Sequence, residues 1–329
     1  MKATATLRML RRFLALLLLA WLLAPAPAAA QGCWMGGVGN FNFGTVDIHG
    51  NTDTSLGISY TCMSNGATTY FRTCLYVAQG APIAGVNPRW MTNYNGAQMA
   101  WNLYADPARS QIVGSPPSGG GHGALTSTFS IPGGWVQRSP TVTVFGRIPG
   151  NQSLPGGWTF QTQLGGSAIY WAWSNAGVPS SCTGGTDPGS ATFYTQASAN
   201  VPTNCRIAQV SNLDFGTVAS VRAPVDMTSQ VVVRCPQGTA WNLAIGNGSH
   251  AAGTTRRMRS AAGNYVTYEL YRNAARSQRW GTALGTDTVS GTGAGDNNPQ
   301  SVTVHGRVPA QGPAAGGAYA DTVTITLTY

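Results

Sequence analysis

Hydrophobic and polar residues alternate over several short stretches of the chain. Near its end, threonines stand between Val323, Ile325, Leu327 and Tyr329. The same period of two runs through 301–308 and 231–235. This period predicts β-strands with one buried face. Turns rich in glycine and proline separate the runs, and no amphipathic helix is predicted after residue 30. We therefore expect an all-β fold.

The chain contains two copies of one pattern. Cys33 precedes a Phe-Gly-Thr-Val motif at 43–46, and Cys205 precedes the same motif at 215–218. Two further pairs of segments match, residues 88–114 with 255–281 and residues 142–149 with 302–309. A repeat of this length indicates a duplicated domain rather than a solenoid.

Short strands, frequent turns and an early cysteine in each copy favour an immunoglobulin-like sandwich. We predict two tandem immunoglobulin-like β-sandwiches, the second lacking its last strand. The predicted boundaries are 1–30 for a signal peptide, 31–201 for the first sandwich and 202–329 for the second.

The two copies differ at their ends. The final strand of the second copy is matched to 157–164 of the first, which then continues to a strand at 191–201. One face of that strand carries Phe193, Thr195, Ala197, Ala199 and Val201. We expect 191–201 to complete the first copy in cis. The second copy would keep a groove edged by Val323, Ile325, Leu327 and Tyr329, and an unpaired edge invites strand addition.

The N-terminal segment and the distribution of charge limit the classes of function that this chain could have. Residues 1–30 have the basic, apolar and small-residue order of a signal peptide, so we expect export through the periplasm to the cell surface. The formal net charge is +9, but the basic residues form only one cluster, at 256–259. This cluster predicts a solvated edge, and we expect no nucleic-acid partner.

Six cysteines follow the signal segment, and an even count in an exported chain predicts disulfides. The repeated spacing pairs Cys33 with Cys62 and Cys205 with Cys235. Cys74 and Cys182 remain, and we expect them to pair with each other or with a partner chain. No Cys-x-x-Cys or His-x-x-x-His spacing supports zinc, so we expect neither a metal nor a cofactor.

Several motifs resemble a known family. They are the Cys-to-Phe-Gly spacing, the Ala-Arg-Ser-Gln run, the Val-x-Gly-Arg-x-Pro motif and the C-terminal Gly-x-Tyr-x-Asp-Thr strand. Together they resemble the spore coat protein U domain, found in subunits of archaic, Csu-type chaperone–usher pili. Residues 191–329 cover one whole domain with a leader strand. Residues 33–164 cover a second copy, in which Gln161-Thr162 stands where Asp321-Thr322 does.

The resemblance implies donor-strand complementation, in which the N-terminal extension of a neighbour supplies the missing strand. The implied partners are a periplasmic pilus chaperone, an outer-membrane usher and the next pilin subunit. Only Gln31 and Gly32 precede Cys33 after the expected cleavage. We therefore expect a subunit that accepts a donor strand but gives none, which is the property of a tip adhesin at the pilus tip.

The first copy carries inserts rich in aromatic residues. They lie near 62–74, from Ser115 to Pro140 and from Gly165 to Ser190, and we expect them to share the pole away from the second copy. The surface-binding candidates are Ile131, Trp135, Val136, Tyr170, Trp171 and Trp173. The target would be an abiotic surface or a glycan. The alternation at 170–173 fits equally an extra strand that packs Trp171 and Trp173 inward.

Two other function classes compete with the adhesin. One is a secreted coat or matrix protein of the spore coat U type, without a ligand site. The other is an enzyme, for which no carboxylate pair or nucleophile arrangement stands out. His49 lies near Asp47 and Asp53, but a solvated loop explains it, and we expect no catalytic residue.

Overall fold

The computed structural model describes residues 32–116, 119–184 and 186–329. The predicted signal peptide, 1–30, lies outside these residues. Within them the fold is all-β, as predicted, and the one helical element is a short 3-10 turn at Gly119–Gly121. No described helix has the length and apolar character needed to cross a membrane.

The first sandwich is built from two sheets. Its strands are β1 (Gly32–Met35), β2 (Phe41–Thr45), β3 (Thr52–Met63), β4 (Thr69–Tyr76), β5 (Arg89–Thr92), β6 (Gln98–Tyr104), β7 (Leu125–Ile131), β8 (Gln137–Arg138), β9 (Thr141–Ile148), β10 (Trp158–Gln163), β11 (Ser167–Ser174), β12 (Thr186–Phe193) and β13 (Gln196–Val201). One sheet has the order β1-β3-β9-β6-β5-β10-β13-β2, with β8 also on β3, and the other has the order β12-β11-β4-β7.

The second sandwich repeats this plan with fewer strands. They are β14 (Arg206–Val210), β15 (Val225–Arg234), β16 (Ala240–Ile245), β17 (Arg256–Ser260), β18 (Tyr265–Tyr271), β19 (Val289–Thr292), β20 (Gln300–Val308), β21 (Tyr319–Ala320) and β22 (Ile325–Thr328). The sheet orders are β14-β15-β20-β18-β17-β21 and β19-β16-β22.

The chain changes sheet near the end of each sandwich. In the first, β10 pairs with β5 and β11 then pairs with β4 in the opposite sheet. In the second, β21 pairs with β17 and β22 pairs with β16. The end of the second copy therefore corresponds to β10 and β11 together. The predicted match to 157–164 alone is wrong, because it stopped at the glycine turn where the strand changes sheet.

A buried arginine occupies the same place in both sandwiches. The Arg89 guanidinium donates hydrogen bonds to the carbonyl oxygens of Val77 and Val113, at 2.9 Å each. Burial lowers the pKa of Arg89 to about 9, so it keeps its charge at neutral pH. Arg256 makes the equivalent bonds and adds an ion pair with Glu269. Arg256 is fully buried, which removes it from the basic cluster that the sequence suggested.

The two sandwiches meet through backbone and side-chain contacts. The Gln237 N–H donates to the Leu154 carbonyl at 2.9 Å. The His49 Nδ1 lies 2.6 Å from Oδ1 of Asp296, without hydrogen-bond alignment, and Asp296 is almost completely buried. His49 therefore takes part in the joint between the domains and not in a solvated loop.

Candidate functional sites

The second domain has an open groove along its last strands. Both β21 and β22 are edge strands, each paired on one side only. Across from them, residues 213–217 follow β14 without joining a sheet. Two adjoining cavities, of about 560 and 540 Å³, lie between these segments and share Leu213, Phe215 and Tyr319. We call this region the acceptor groove.

The same place is filled in the first domain. β13 lies between β10, with which it is antiparallel, and β2, with which it is parallel. The side chains of Thr195, Ala197, Ala199 and Val201 are buried in the core. β12, which precedes β13 in the chain, pairs with β11 and covers the edge of the opposite sheet. The strand expected at 191–201 thus completes the first domain from within the chain, although it is divided at residues 194–195.

Equivalent residues show the effect of this cover. Phe43 is buried under β13, whereas Phe215 is only half-buried. Trp171 is 8% exposed beneath β12, where the backbone of Gly189 lies against its ring. The strand pairing places Tyr329 at the position of Trp171, and Tyr329 is 56% exposed.

The predicted groove edge lies along the acceptor groove. Val323, Ile325 and Leu327 are half-buried and pack against the core of the second domain. They line only one side of the groove, so a donor strand would cover their remaining exposed surface. Tyr329 extends beyond β22 at the end of this row.

A polar cluster lies inside the groove. The buried carboxylate of Asp321 accepts a hydrogen bond from the Tyr268 hydroxyl at 2.8 Å and lies 3.0 Å from Nδ1 of His250. Burial, together with this carboxylate, raises the pKa of Tyr268 well above its usual value. The strand pairing places Asp321 at the position of Thr162 and not of Gln161. Sequence matching missed this one-residue shift because the two copies have different residue types around Asp321.

Only parts of the three predicted inserts form loops at the pole away from the second domain, because much of the rest forms β7, β8, β11 and part of β12. We call the segments 64–68, 132–136 and 175–184 the apical loops. Their hub is Asn65, whose carbonyl accepts hydrogen bonds from the Gly134 and Trp135 N–H groups at 2.9 and 3.2 Å. Its side-chain amide donates to Oδ1 of Asn175 at 3.0 Å. One residue therefore joins all three loops.

Two of the predicted surface residues are exposed on these loops. Trp135 is 49% and Val136 is 42% exposed. Trp135 adopts a φ of 64°, a left-handed conformation that bulky residues rarely take. Such strain is typical of functional positions. Tyr170 is half-buried on β11, where its ring packs edge-on against Tyr76.

The other three predicted surface residues are buried. Ile131, Trp171 and Trp173 belong to one core cluster with Phe71, so they cannot contact a surface. Trp171 and Trp173 lie on β11, a central strand whose alternate side chains point into the sandwich, and Ile131 is the last residue of β7 in the same sheet. The inward packing of this run is therefore correct, but the strand is not an extra one, because β22 is its counterpart in the second domain.

The chain carries two copies of one family motif. A family model described as the Spore Coat Protein U domain matches residues 20–160 and 191–326. The chain belongs to the Spore Coat Protein U domain family. A similar family protein, Protein U of Myxococcus xanthus, is 35% identical over 150 residues, which cover 40% of this chain and 80% of that protein.

The fold of the two Spore Coat Protein U domains is also similar to a solved structure. That structure is a chain of the CsuC–CsuE chaperone–tip adhesion subunit pre-assembly complex, from the archaic chaperone–usher Csu pili of Acinetobacter baumannii. The TM-score is 0.55 at 17% identity, over 91% of this chain and 100% of that one. The likeness extends through both domains and supports the immunoglobulin-like fold.

Each Spore Coat Protein U domain contains the disulfide that its spacing suggested. The structure joins Cys33 to Cys62 and Cys205 to Cys235. A third bond links Cys74 on β4 with Cys182. The third bond ties an apical loop to a central strand of the sheet beneath it.

Sequence reasoning missed one exposed residue of the apical loops. Val178 is 46% exposed in the third loop. Its sequence context gave little indication of exposure, because a single valine after a glycine belongs to no alternating hydrophobic pattern. Cys182 fixes the same loop, so the disulfide pattern was the feature that could have indicated it.

Proposed function

We propose that this chain is a subunit of a chaperone–usher pilus, with its first domain at the tip as an adhesin. In this proposal the second domain accepts a donor strand from the next subunit. The observation that carries the proposal is the acceptor groove, open along β21 and β22. The first domain supplies an internal template, because β13 occupies the equivalent place there.

The groove explains why partners are needed. An exposed strand edge bordered by apolar side chains promotes aggregation unless another strand covers it. Backbone hydrogen bonds from an added strand give affinity, and its alternate side chains give specificity. A periplasmic chaperone would cover the groove during export, and an usher would exchange it for the next subunit. The likeness to a chaperone–tip adhesion subunit complex supports this role.

The tip position is supported by the arrangement of the first domain. Its closing strand belongs to the same chain, so it needs no neighbour for completion. The apical loops lie at the pole opposite the second domain, where a surface is accessible. Burying Trp135, Val136 and Val178 would contribute roughly 1.5–3 kcal/mol each. Many pili on one cell would multiply this modest attachment.

The arrangement of polar groups in the apical loops favours an apolar surface, and not a glycan, as the binding target. The side chains of Asn65 and Asn175 hydrogen-bond to each other and to Thr69 within the loops. A glycan site needs free polar groups that converge on the sugar. Here the amides hold the loops together, and the large exposed side chains around them, Trp135, Val136 and Val178, are hydrophobic. We therefore propose attachment to a hydrophobic abiotic surface.

Co-expression tests the groove. The exported chain is produced in a periplasm with and without a candidate pilus chaperone. We expect soluble protein only as an equimolar complex, and we expect a donor strand fused after Tyr329 to remove the requirement. A stable, soluble monomer without either would contradict the pilus role.

Retention on polystyrene tests the apical loops. The donor-complemented chain is compared with a variant that combines Trp135→Ala and Val136→Ser. We expect about tenfold weaker retention or more. Tyr94→Ala is the matched control, because Tyr94 is 94% exposed in the β5–β6 turn, away from the apical loops. Equal losses in both variants would contradict the assignment of the surface to these loops.

A second candidate function is a secreted coat or matrix component. The description of the family, Spore Coat Protein U domain, favours it. It predicts a stable monomer or a self-assembled polymer, with no gain from a donor strand. The co-expression experiment therefore separates the two candidates.

A further inference from the structure

The acceptor groove differs from its filled counterpart in the size of its lining. We infer that it selects a donor strand with bulky aliphatic side chains at the two positions where β13 carries Ala197 and Ala199. The occupant is a segment of another subunit. The inference rests on the proposed function and adds the side-chain sizes that the partner must bring.

The pairing of β13 fixes the register of the comparison. Ala197 lies opposite Thr162 on β10 and beside Phe41 on β2, and Ala199 lies opposite Phe160. In the second domain, Asp321, Leu213 and Tyr319 occupy the positions of these three partners. The same two donor positions can therefore be located within the acceptor groove.

Five of the side chains around these positions are smaller in the second domain. The strand pairings and the repeat give the following replacements: Leu213 for Phe41, Val231 for Ile58, Val266 for Met99, Tyr268 for Trp101 and Val308 for Ile148. All five residues of the second domain line the two cavities. Opposite changes in the lining include Ile245 for Val77, Tyr319 for Phe160 and Ile325 for Ser167.

The first domain shows that the two features are complementary. Ala197 and Ala199 are fully buried in one core cluster with large residues, including Phe41 and Trp101. Closely packed cores resist both cavities and added volume. Alanines opposite the smaller lining of the acceptor groove would leave voids, whereas leucine or isoleucine would fill them.

The polar cluster in the groove does not call for a charged donor. Both carboxylate oxygens of Asp321 already have partners, in the Tyr268 hydroxyl and the main chain and ring of His250. A lysine or arginine at the facing position would have to compete with these bonds. The rest of the lining there is apolar and includes Leu213, Phe215, Met258 and Val304. Aliphatic donor side chains would pack against it.

The donor strand is not β13 of a second copy of this chain. That segment is held between β10 and β2 by backbone bonds on both sides, including one from the Val46 N–H to the Asn200 carbonyl at 2.8 Å. Its release would expose the core of the first domain. The donor must therefore be a different segment.

Fused strands test the size requirement in the full chain. A turn of about 4–6 residues joins Tyr329 to a copy of 193–201, which can then run antiparallel to β21 and β22. A second version has leucine at the positions copied from Ala197 and Ala199. A third has aspartate at both positions and serves as the mismatched control.

We expect the leucine strand to raise the unfolding midpoint of the second domain by at least about 8 °C over the alanine copy. The reciprocal change in β13 itself, Ala199→Leu, should lower the midpoint of the first domain through overpacking. An alanine copy that stabilises as well as the leucine strand would overturn the size requirement and leave strand acceptance intact. If neither strand differs from the aspartate control in soluble yield or in unfolding midpoint, strand acceptance and the size requirement are both wrong.

Discussion

Val46 and Val218 occupy equivalent positions in the two domains but differ in exposure. Val46 is 3% exposed, and Val218 is 44% exposed. Each follows the same Phe-Gly-Thr sequence, so the difference does not come from local sequence. It comes from β13, whose Asn200 carbonyl accepts a hydrogen bond from the Val46 N–H. The pair shows how one strand converts an open groove into a closed core.

This relationship predicts that β13 is essential to the first domain. Ala199→Asp would place an unpaired carboxylate in the core, at a cost of about 3–5 kcal/mol. The neighbouring Asn200→Asp is the matched control, because Asn200 is exposed and its side-chain oxygen already accepts a bond from Thr159. Calorimetry should show a lower first-domain midpoint for Ala199→Asp alone. Equal midpoints would mean that β13 does not complete this core.

Much of this arrangement could be predicted from the sequence. The alternation at 193–201 identifies the buried face of β13, because the period of a strand is fixed by its pleat. The repeated spacing of Cys33 and Cys205 identifies two disulfides, since both copies share the same geometry. The fold class and the family could be predicted because these patterns occur in both copies.

Other features could not be predicted from the repeat. The change of sheet between β10 and β11 occurs at a glycine turn, and matching of residue types stops there. Trp171 and Trp173 therefore looked like an insert, although they lie on a central strand. The contact of His49 with Asp296 joins segments far apart in the chain, and no local pattern encodes such a contact.

The tryptophans of the first domain should separate into two classes. Trp171→Ala would leave a cavity in the core beneath β1 and β12 and lower the free energy of unfolding by about 3–5 kcal/mol. Trp135→Ala removes a side chain on an apical loop and should cost less than about 1 kcal/mol. Denaturant titration of both variants measures the difference. A large loss for Trp135→Ala would show that it supports the loop fold and does not simply present a surface.

The bond between Cys74 and Cys182 should stabilise only the first domain. It closes a span of 108 residues, and a loop of this size contributes about 4–5 kcal/mol in the chain-entropy model. The double variant Cys74→Ala, Cys182→Ala should lower the first-domain midpoint and leave the second unchanged. The matched control, Cys205→Ala with Cys235→Ala, should lower only the second-domain midpoint. A shift of both transitions by either variant would show that the domains unfold as one unit.

The stability of both domains should decrease in acid through a repeated ion pair. The Asp53 carboxylate accepts two hydrogen bonds from Arg147, at 2.8 Å each, and these bonds hold its pKa below the ordinary 3.8. Arg307 has the same effect on the pKa of Asp226. A lowered folded-state pKa gives stability that is full above the unfolded value and is lost as pH falls through the folded value.

The difference between the parent chain and Asp53→Asn should therefore be largest at neutral pH and disappear as the pH falls well below 3.8. Thermal unfolding of the donor-complemented chain from pH 7 downward measures it in the first domain, and Asp226→Asn repeats the test in the second. Arg147→Met combined with Asp53→Asn completes a double-mutant cycle, in which the second change should add little. A difference that persists unchanged in acid would assign the effect to packing and not to the charge of Asp53.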